Sequence, residues 1–338
     1  MNRLVRSIGR VVMALGVVAA LGLVGGAWWL ALPGTKHVGP LPAPAPGQAE
    51  VAARLEADVR MLCDTIGERS WRKPENLAKS VFWIETELKD AGLVVTRQNV
   101  VSEAGTFQNV IGTRRGTDPA AGVVVVGAHY DSFPGTIGAD DNASGVAGVL
   151  AIARALKGLA PAAELRFVAF ASEESHFQTD AMGSLVYARS CRQAGDDLRA
   201  VVDLETIATY SDEPGSQRFP LPALAWLFPD RGDFVAFVAD PTSRPLMREM
   251  VRSFRSHAAF PSEGVALPAD VPGVGWSDHW AFWQAGYQAV MVSDTAPFRN
   301  ERYHTTHDMP DKLDYARTAR VVQGVAAVVT DLAAAPPR

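Results

Sequence analysis

The segment GVVVVGAHYDS (122–132) constrains the fold more than any other, because four consecutive valines lead straight to a histidine and an aspartate. A strand wetted on one face alternates apolar and polar side chains, whereas a strand covered on both faces reads as an unbroken apolar run. The segment therefore predicts a central strand with helices on both sides. Comparable runs recur at ELRFVAFAS (164–172), LRAVVDLETI (198–207) and YQAVMVSD (287–294). Helical spacing of apolar residues fills SGVAGVLAIARAL (144–156), SLVYARSCRQ (184–193) and a last segment from 314 to about 335. Two more helices are expected at 50–66 and 74–91, the second with Leu77, Val81, Ile84, Leu88 and Ala91 in one stripe and Gly92 as its stop. Segments 93–101 and 106–116 read as an antiparallel strand pair. The stretch 209–274 is irregular, aromatic and proline-rich, with one helix near 243–257, and is expected to wall a pocket. This alternation defines an α/β fold, a mixed and mostly parallel central sheet with helices on both faces. Ligands of such sheets sit beyond the carboxyl ends of the strands.

The N-terminus is organised differently. Residues 1–10 carry Arg3, Arg6 and Arg10, and 11–32 form an uncharged apolar run of 22 residues. As a helix that run would rise about 33 Å, enough to cross a bilayer. Trp28 and Trp29 near its far end suit the headgroup region. The expectation is a single transmembrane anchor with a cytoplasmic N-terminus and the folded domain (49–338) periplasmic or extracellular. A cleaved signal peptide is the alternative, but its apolar core usually spans only about 7–15 residues. Residues 33–48, rich in Pro and Ala, read as an extended tether rather than a packed element, holding the domain clear of the membrane. A net charge of −5 argues against a nucleic-acid partner. The two cysteines, Cys63 and Cys191, read as buried free thiols rather than a disulfide framework.

Five short segments deliver acids and histidines in order: GAHYDS with His129 and Asp131, GADDNASG with Asp140 and Asp141, SEES with Glu173 and Glu174, DLETI with Asp203 and Glu205, and RYHTTHD with Tyr303, His304, His307 and Asp308. Each alone has an ordinary reading: a satisfied histidine, a helix N-cap, a solvated acidic pair, a strand running out to water, a polar turn. Four of the five directly follow apolar strands, and few structural demands would produce that order. Histidine and carboxylate together suit zinc without any cysteine. Asp131, two residues beyond His129 on the same face, could orient the imidazole.

GAHYDS, GADDNASG, FASEES and YHTTHD resemble the motifs of the co-catalytic di-zinc aminopeptidases, in the clan that includes glutamate carboxypeptidase and glutaminyl cyclase. SDEPGSQ (211–217), GDFVAF (232–237) and SDHWAF (277–282) resemble bacterial membrane-associated members. The resemblance runs from about Val51 to the C-terminus and implies a zinc exopeptidase fold. It also implies two Zn²⁺ per chain, with Co²⁺ or Mn²⁺ as possible substitutes. His129 and Glu205 would hold one ion, Glu174 and His304 the other, and Asp141 would bridge them. Glu173 would be the general base for the attacking hydroxide and Tyr303 a hydrogen-bond donor to the oxyanion. Asp131 and Asp308 would support the ligands from behind. The family holds the peptide bond after its bridging acid in cis, here Asp141–Asn142. Glu205 departs from the pattern, since most such aminopeptidases have aspartate there, and Asp203 on the same strand face is its competitor. The implied activity is removal of N-terminal residues from peptides with a free N-terminus. The alternatives are a single-zinc glutaminyl cyclase-like enzyme and a catalytically inactive receptor-like ectodomain, which would require lost ligands.

Overall fold

A computed structural model describes residues 29–334, and the unit that carries the sheet begins at Gly34. Of the expected membrane helix (11–32), residues 11–28 lie outside the described residues. Among the described residues no helix is long and apolar enough to cross a membrane.

The valine run becomes strand β3 (Val123–His129), buried along its whole length. Its parallel partners are β4 (Glu164–Phe170) on one side and β5 (Leu198–Glu205) on the other. Beyond β5 lies β8 (Ala289–Ser293), also parallel. The predicted hairpin is β1 (Val94–Ser102) with β2 (Gly105–Arg114), added antiparallel to β4. Two strands that the irregular reading of 209–274 did not foresee complete the sheet: β6 (Val235–Ala239) and β7 (Ser262–Ala266). The order is β1-β2-β4-β3-β5-β8-β6-β7, mixed and mostly parallel in its centre.

Among the described residues, seven helices pack against the sheet or each other. One layer contains α1 (Gln48–Arg60), α2 (Pro74–Asp90), α3 (Gly145–Ala155), α5 (Arg244–His257) and α8 (Tyr315–Ala334). The opposite face is covered by α4 (Gly183–Ala194) and the short α6 (His279–Gln284), which meet Val125, Val168, Phe170 and Val201 through Tyr187, Cys191 and Phe282. A one-turn helix, α7 (Ala296–Arg299), follows β8. Cys63 and Cys191 are both buried free thiols. The segment 33–46 carries no helix or strand and touches the folded unit. Lys36 pairs with Glu263 of β7, and Arg320 of α8 donates to the Pro42 carbonyl at 2.5 Å. Because β3, β4, β5 and β8 run in one direction, His129, Glu173, Glu174 and Glu205 emerge at one edge of the sheet.

Candidate metal centre

His129 is the last residue of β3 and wholly buried, and its Nδ1 lies 3.1 Å from the backbone carbonyl of Asp131. The other ring nitrogen, Nε2, stands 3.1 Å from Glu205 Oε2 and 3.3 Å from Asp141 Oδ1. Asp141 turns its second oxygen the other way, with Oδ2 3.0 Å from His304 Nε2, which in turn is 3.4 Å from Glu174 Oε2. Two groups of potential ligands thus share one carboxylate: His129, Asp141 and Glu205, then Asp141, Glu174 and His304.

Zinc bonds of about 2.0–2.2 Å in a tetrahedron leave neighbouring ligand atoms about 3.3–3.6 Å apart. Two of the observed separations, 3.3 and 3.4 Å, lie on that edge, and the other two, 3.0 and 3.1 Å, fall slightly inside it. Glu174 Oε1 is buried without a hydrogen-bond partner, and Asp141 Oδ2 has no aligned donor despite its nearness to His304. Buried carboxylate oxygens left in this way are costly unless a cation completes them. The donor set and its spacing therefore fit zinc.

Electrostatics say the same. Burial opposes charge on His129, yet Glu205 and Glu173 outweigh it and hold the imidazole well above its ordinary range. Burial likewise opposes charge on His304, but Asp141 and Glu174 raise it to about 10. Burial and the Asp141 charge push Glu174 up to about 8, and burial, with Asp141 beside it, pushes Glu205 up to about 7. Crowded acids taking up protons and histidines holding theirs describe a site built for positive charge.

The local sequence explains the placement. Asp141 lies in the turn Ala139–Ser144, and the peptide bond to Asn142 is cis, as the resemblance implies. Gly138 opens the turn at φ +52°, where a Cβ would lie 2.2 Å from the Asp141 carbonyl oxygen. Gly145 begins α3 where a Cβ would come 2.4 Å from the Leu204 carbonyl, so only glycine brings the turn this close to β5. Asp308 fastens the turn from the far side, accepting the amides of Asp140 at 2.9 Å and Asp141 at 3.1 Å. Asp140 faces away from the cluster and accepts from Thr209 Oγ1 at 2.6 Å and Asn300 Nδ2 at 2.9 Å.

Asp131 stands beside the His129 imidazole and has a second task that the sequence did not show. Its backbone carbonyl, not its carboxylate, makes the close contact with His129. The carboxylate lies 3.7 Å from that imidazole and accepts the backbone amides of Glu173 and Glu174, both at 3.1 Å. The physical reason is directional: two N–H groups at the end of β4 point at both carboxylate oxygens. Ser172, a non-glycine residue at φ 64°, makes the bend that brings the two glutamates into the site. Glu173 is buried, and burial together with Glu174, Asp278 and Glu205 raises its carboxyl well above the usual range.

The competition on β5 is resolved by length of strand. Asp203 still pairs with Gly127 and Met291 within the sheet, and its carboxylate accepts both the backbone N–H and the Nδ1 side of His279 at 3.0 Å. Glu205 is the final residue and reaches the cluster, where Ser277 Oγ donates to it at 2.7 Å and Asn142 Nδ2 at 3.2 Å. The imidazole of His304 is stacked between Phe133 and Tyr303, with centroids 4.2 and 3.8 Å away. Tyr303 lies against the acids, which together with burial hold its phenol well above 10. His307 is exposed and stands outside both ligand groups.

Sequence reasoning missed several supporting residues. Arg69 is fully buried and donates to the carbonyls of Tyr130 and Ile137 at 2.7 Å and of Gly138 at 2.9 Å, so it ties the end of β3 to the Asp141 turn. Asn142, Ser277 and the buried Asp278 were also unassigned, although SDHWAF was a visible signal for the last two.

A buried histidine–carboxylate cluster at the carboxyl edge of a mixed α/β sheet defines a metal-dependent hydrolase of the peptidase kind. The chain belongs to Peptidase family M28, whose family model matches residues 109–329. It is 37% identical over 309 residues to the uncharacterised protein YfbL of Escherichia coli, covering 88% of this chain and 90% of that one. Its fold is similar to that of BSAP, a zinc aminopeptidase from Bacillus subtilis, with a TM-score of 0.65, 17% identity, and coverage of 88% of this chain and 97% of that one. A glutaminyl cyclase from Bacteroides thetaiotaomicron shares the fold at a TM-score of 0.62 and 18% identity, over 86% of this chain and 99% of that one.

Proposed function

We propose that the chain is a zinc-dependent aminopeptidase in which His129 and Glu205 hold one ion, Glu174 and His304 a second, and Asp141 both. The observation that carries this reading is the division of the Asp141 carboxylate, with Oδ1 toward His129 and Oδ2 toward His304. When bound, the ions would supply Lewis acidity toward the scissile carbonyl and lower the pKa of the attacking water. The chain's own groups do the rest. Glu173, held beside Glu174 by the Asp131 carboxylate, accepts a proton from the attacking water and returns it to the departing amine. Tyr303 donates a hydrogen bond toward the oxygen that gains charge. Ser277 and Asn142 fix the Glu205 carboxylate, and Phe133 fixes the His304 ring. The run 11–32 is proposed to anchor this domain outside the cytoplasm, on sequence grounds alone; digestion of the domain by protease added to intact spheroplasts checks it.

The adjacent glutamates give the sharpest test. Glu174→Gln should weaken zinc binding, because a neutral amide is a poor ligand. Glu173→Gln should keep its zinc and lose about 10²–10⁴-fold in turnover, the usual share of a general base. Metal content and kcat on an aminoacyl substrate are measured for both. Loss of zinc from Glu173→Gln, or near-normal turnover by it, sinks the assignment. Glutaminyl peptides in the same panel separate peptide hydrolysis from cyclisation.

A further inference from the structure

An apolar pocket adjoins the cluster, with Glu205 and Tyr303 among its lining and Phe219, Phe234, Trp276 and Phe298 in its walls. Its floor is a row across the sheet. Glu205 pairs with Ser293 of β8, Ser293 with Ala236 of β6, and Ala236 with Glu263 of β7. All four line the pocket. Three interstrand steps of about 4.8 Å put roughly 14 Å between the backbones of the two glutamates. The row therefore has a carboxylate at each end, one in the metal cluster and one on the edge strand. The row behind it is apolar, with Met291, Val238 and Val265.

The far carboxylate is neutralised by a residue from outside the predicted catalytic domain. Glu263 is largely buried and forms an ion pair with Lys36. The segment carrying Lys36 is fastened on both sides: Arg255 donates to the Gly34 carbonyl, and Arg320 to that of Pro42. Arg255 is itself anchored on Ser262, next to Glu263, donating to its carbonyl at 2.8 Å. A carboxylate in an apolar wall draws a cation strongly, and an internal lysine satisfies that demand.

The geometry points to Lys36 as a specificity-determining residue: by occupying Glu263 it makes the pocket one for large apolar N-terminal side chains and closes it to lysine and arginine. This rests on the aminopeptidase reading for which bond is cut, but the pocket's charge preference can be tested without it. Removing Lys36 strips Glu263 of its ion-pair partner, with Arg255, held on Ser262, as the remaining cation nearby; a substrate's ammonium or guanidinium reaching along the row from the cluster can then take the place of Lys36. Substrate discrimination then changes by exchange of one cation for another, with no change among the metal-binding residues.

The test uses the zinc-loaded full chain and its Lys36→Met, Glu263→Gln and doubly substituted variants, with Lys36→Gln as a second choice should Lys36→Met fail to fold. The leucyl, phenylalanyl, lysyl and arginyl anilides are compared by kcat/KM. The wild type should favour the apolar pair by about 100-fold or more, within what a pocket lacking the matching charge achieves. Lys36→Met should cut that ratio at least tenfold by gaining activity on the basic pair, and the double variant should lose the gain. In parallel, calorimetry measures binding of 1-hexanol and hexylammonium, which carry no peptide bond. Hexylammonium should bind to Lys36→Met several-fold more tightly than to the wild type and the double variant. An unchanged anilide ratio together with unchanged hexylammonium binding overturns the proposal. Absence of anilide turnover with the predicted hexylammonium shift overturns the aminopeptidase reading and leaves the pocket assignment standing.

Discussion

Replacing Asp131 by alanine removes the acceptor of two backbone amides, the buried one of Glu173 and the half-buried one of Glu174, each bound at 3.1 Å. A hydrogen bond to a charged group is worth about 1.5–3 kcal/mol, and a buried donor left alone costs about as much. Partial relaxation of the loop puts the total near 3–5 kcal/mol, a large share of the 5–15 kcal/mol that typically separates folded from unfolded states. The melting temperature should fall by on the order of 10 °C. Asp131→Asn should lie between, since one oxygen still accepts while its NH₂ faces the second amide. His129 should keep its orientation in both variants, because its partner at 3.1 Å is the backbone carbonyl of residue 131, which survives the change. Loosening should appear at Glu174, as a loss of about 10–100-fold in zinc affinity, the usual effect of removing a group that orients a ligand. Thermal melts and chelator-competition titrations measure both quantities. If stability and zinc affinity stay within twofold of the wild type in Asp131→Ala, the assignment of Asp131 as the clamp on the glutamate pair is wrong.

Two further outcomes are expected. Glu205→Asp draws the carboxylate back by about 1.5 Å, one C–C bond, out of reach of Ser277 Oγ at 2.7 Å and His129 Nε2 at 3.1 Å; zinc titration should show more than tenfold weaker binding of one ion, and unchanged affinity for both would contradict the geometry. Zinc uptake should release protons at pH 7, because His304 is raised to about 10 and Glu174 to about 8 before a cation arrives. Both must lose their protons to bind, so apparent affinity should rise with pH between about 6 and 9. Calorimetry in two buffers of different ionisation enthalpy reads the proton count, and a count of zero would refute the electrostatic account.

The parts of the fold legible in the sequence are those where burial on both faces leaves an unbroken apolar run, as in β3, β4 and β5. Strand β6 (VAFVA) is as apolar as β8 and of the same five-residue length, but it lies inside a proline-rich aromatic stretch that reads as irregular; β7 (SEGVA) carries a glutamate on the pocket face and a glycine beside it. Such a segment looks like loop until its partner is known. The ordered acids and histidines marked the site, and the structure brings His129, Asp141, Glu174, Glu205 and His304 together. Asp203 and Glu205 could not be parted by alternation, since residues two apart share a strand face. What separates them is that the sheet continues past Asp203 and α6 covers it, which is a tertiary fact. Arg69 acts through backbone carbonyls, and nothing in its local sequence distinguishes it from an ordinary arginine; Asn142 and Ser277 sit inside quoted motifs, but their bonds to Glu205 join segments far apart in the chain. The carboxylate of Asp131 stands 3.7 Å from the His129 imidazole, and its second task was illegible because the amides it serves lie in the turn beyond β4.

The central claim is that one carboxylate, Asp141, joins two metal positions that work together. It is tested most directly by titrating chelator-treated full-length protein with zinc while following bound metal and aminoacyl-anilide turnover in the same sample. The account predicts binding of two ions per chain, turnover that reaches its maximum only as the second is bound, and loss of both ions in Asp141→Ala. Saturation of binding and turnover at one ion per chain, or an Asp141→Ala variant that retains two, would contradict it.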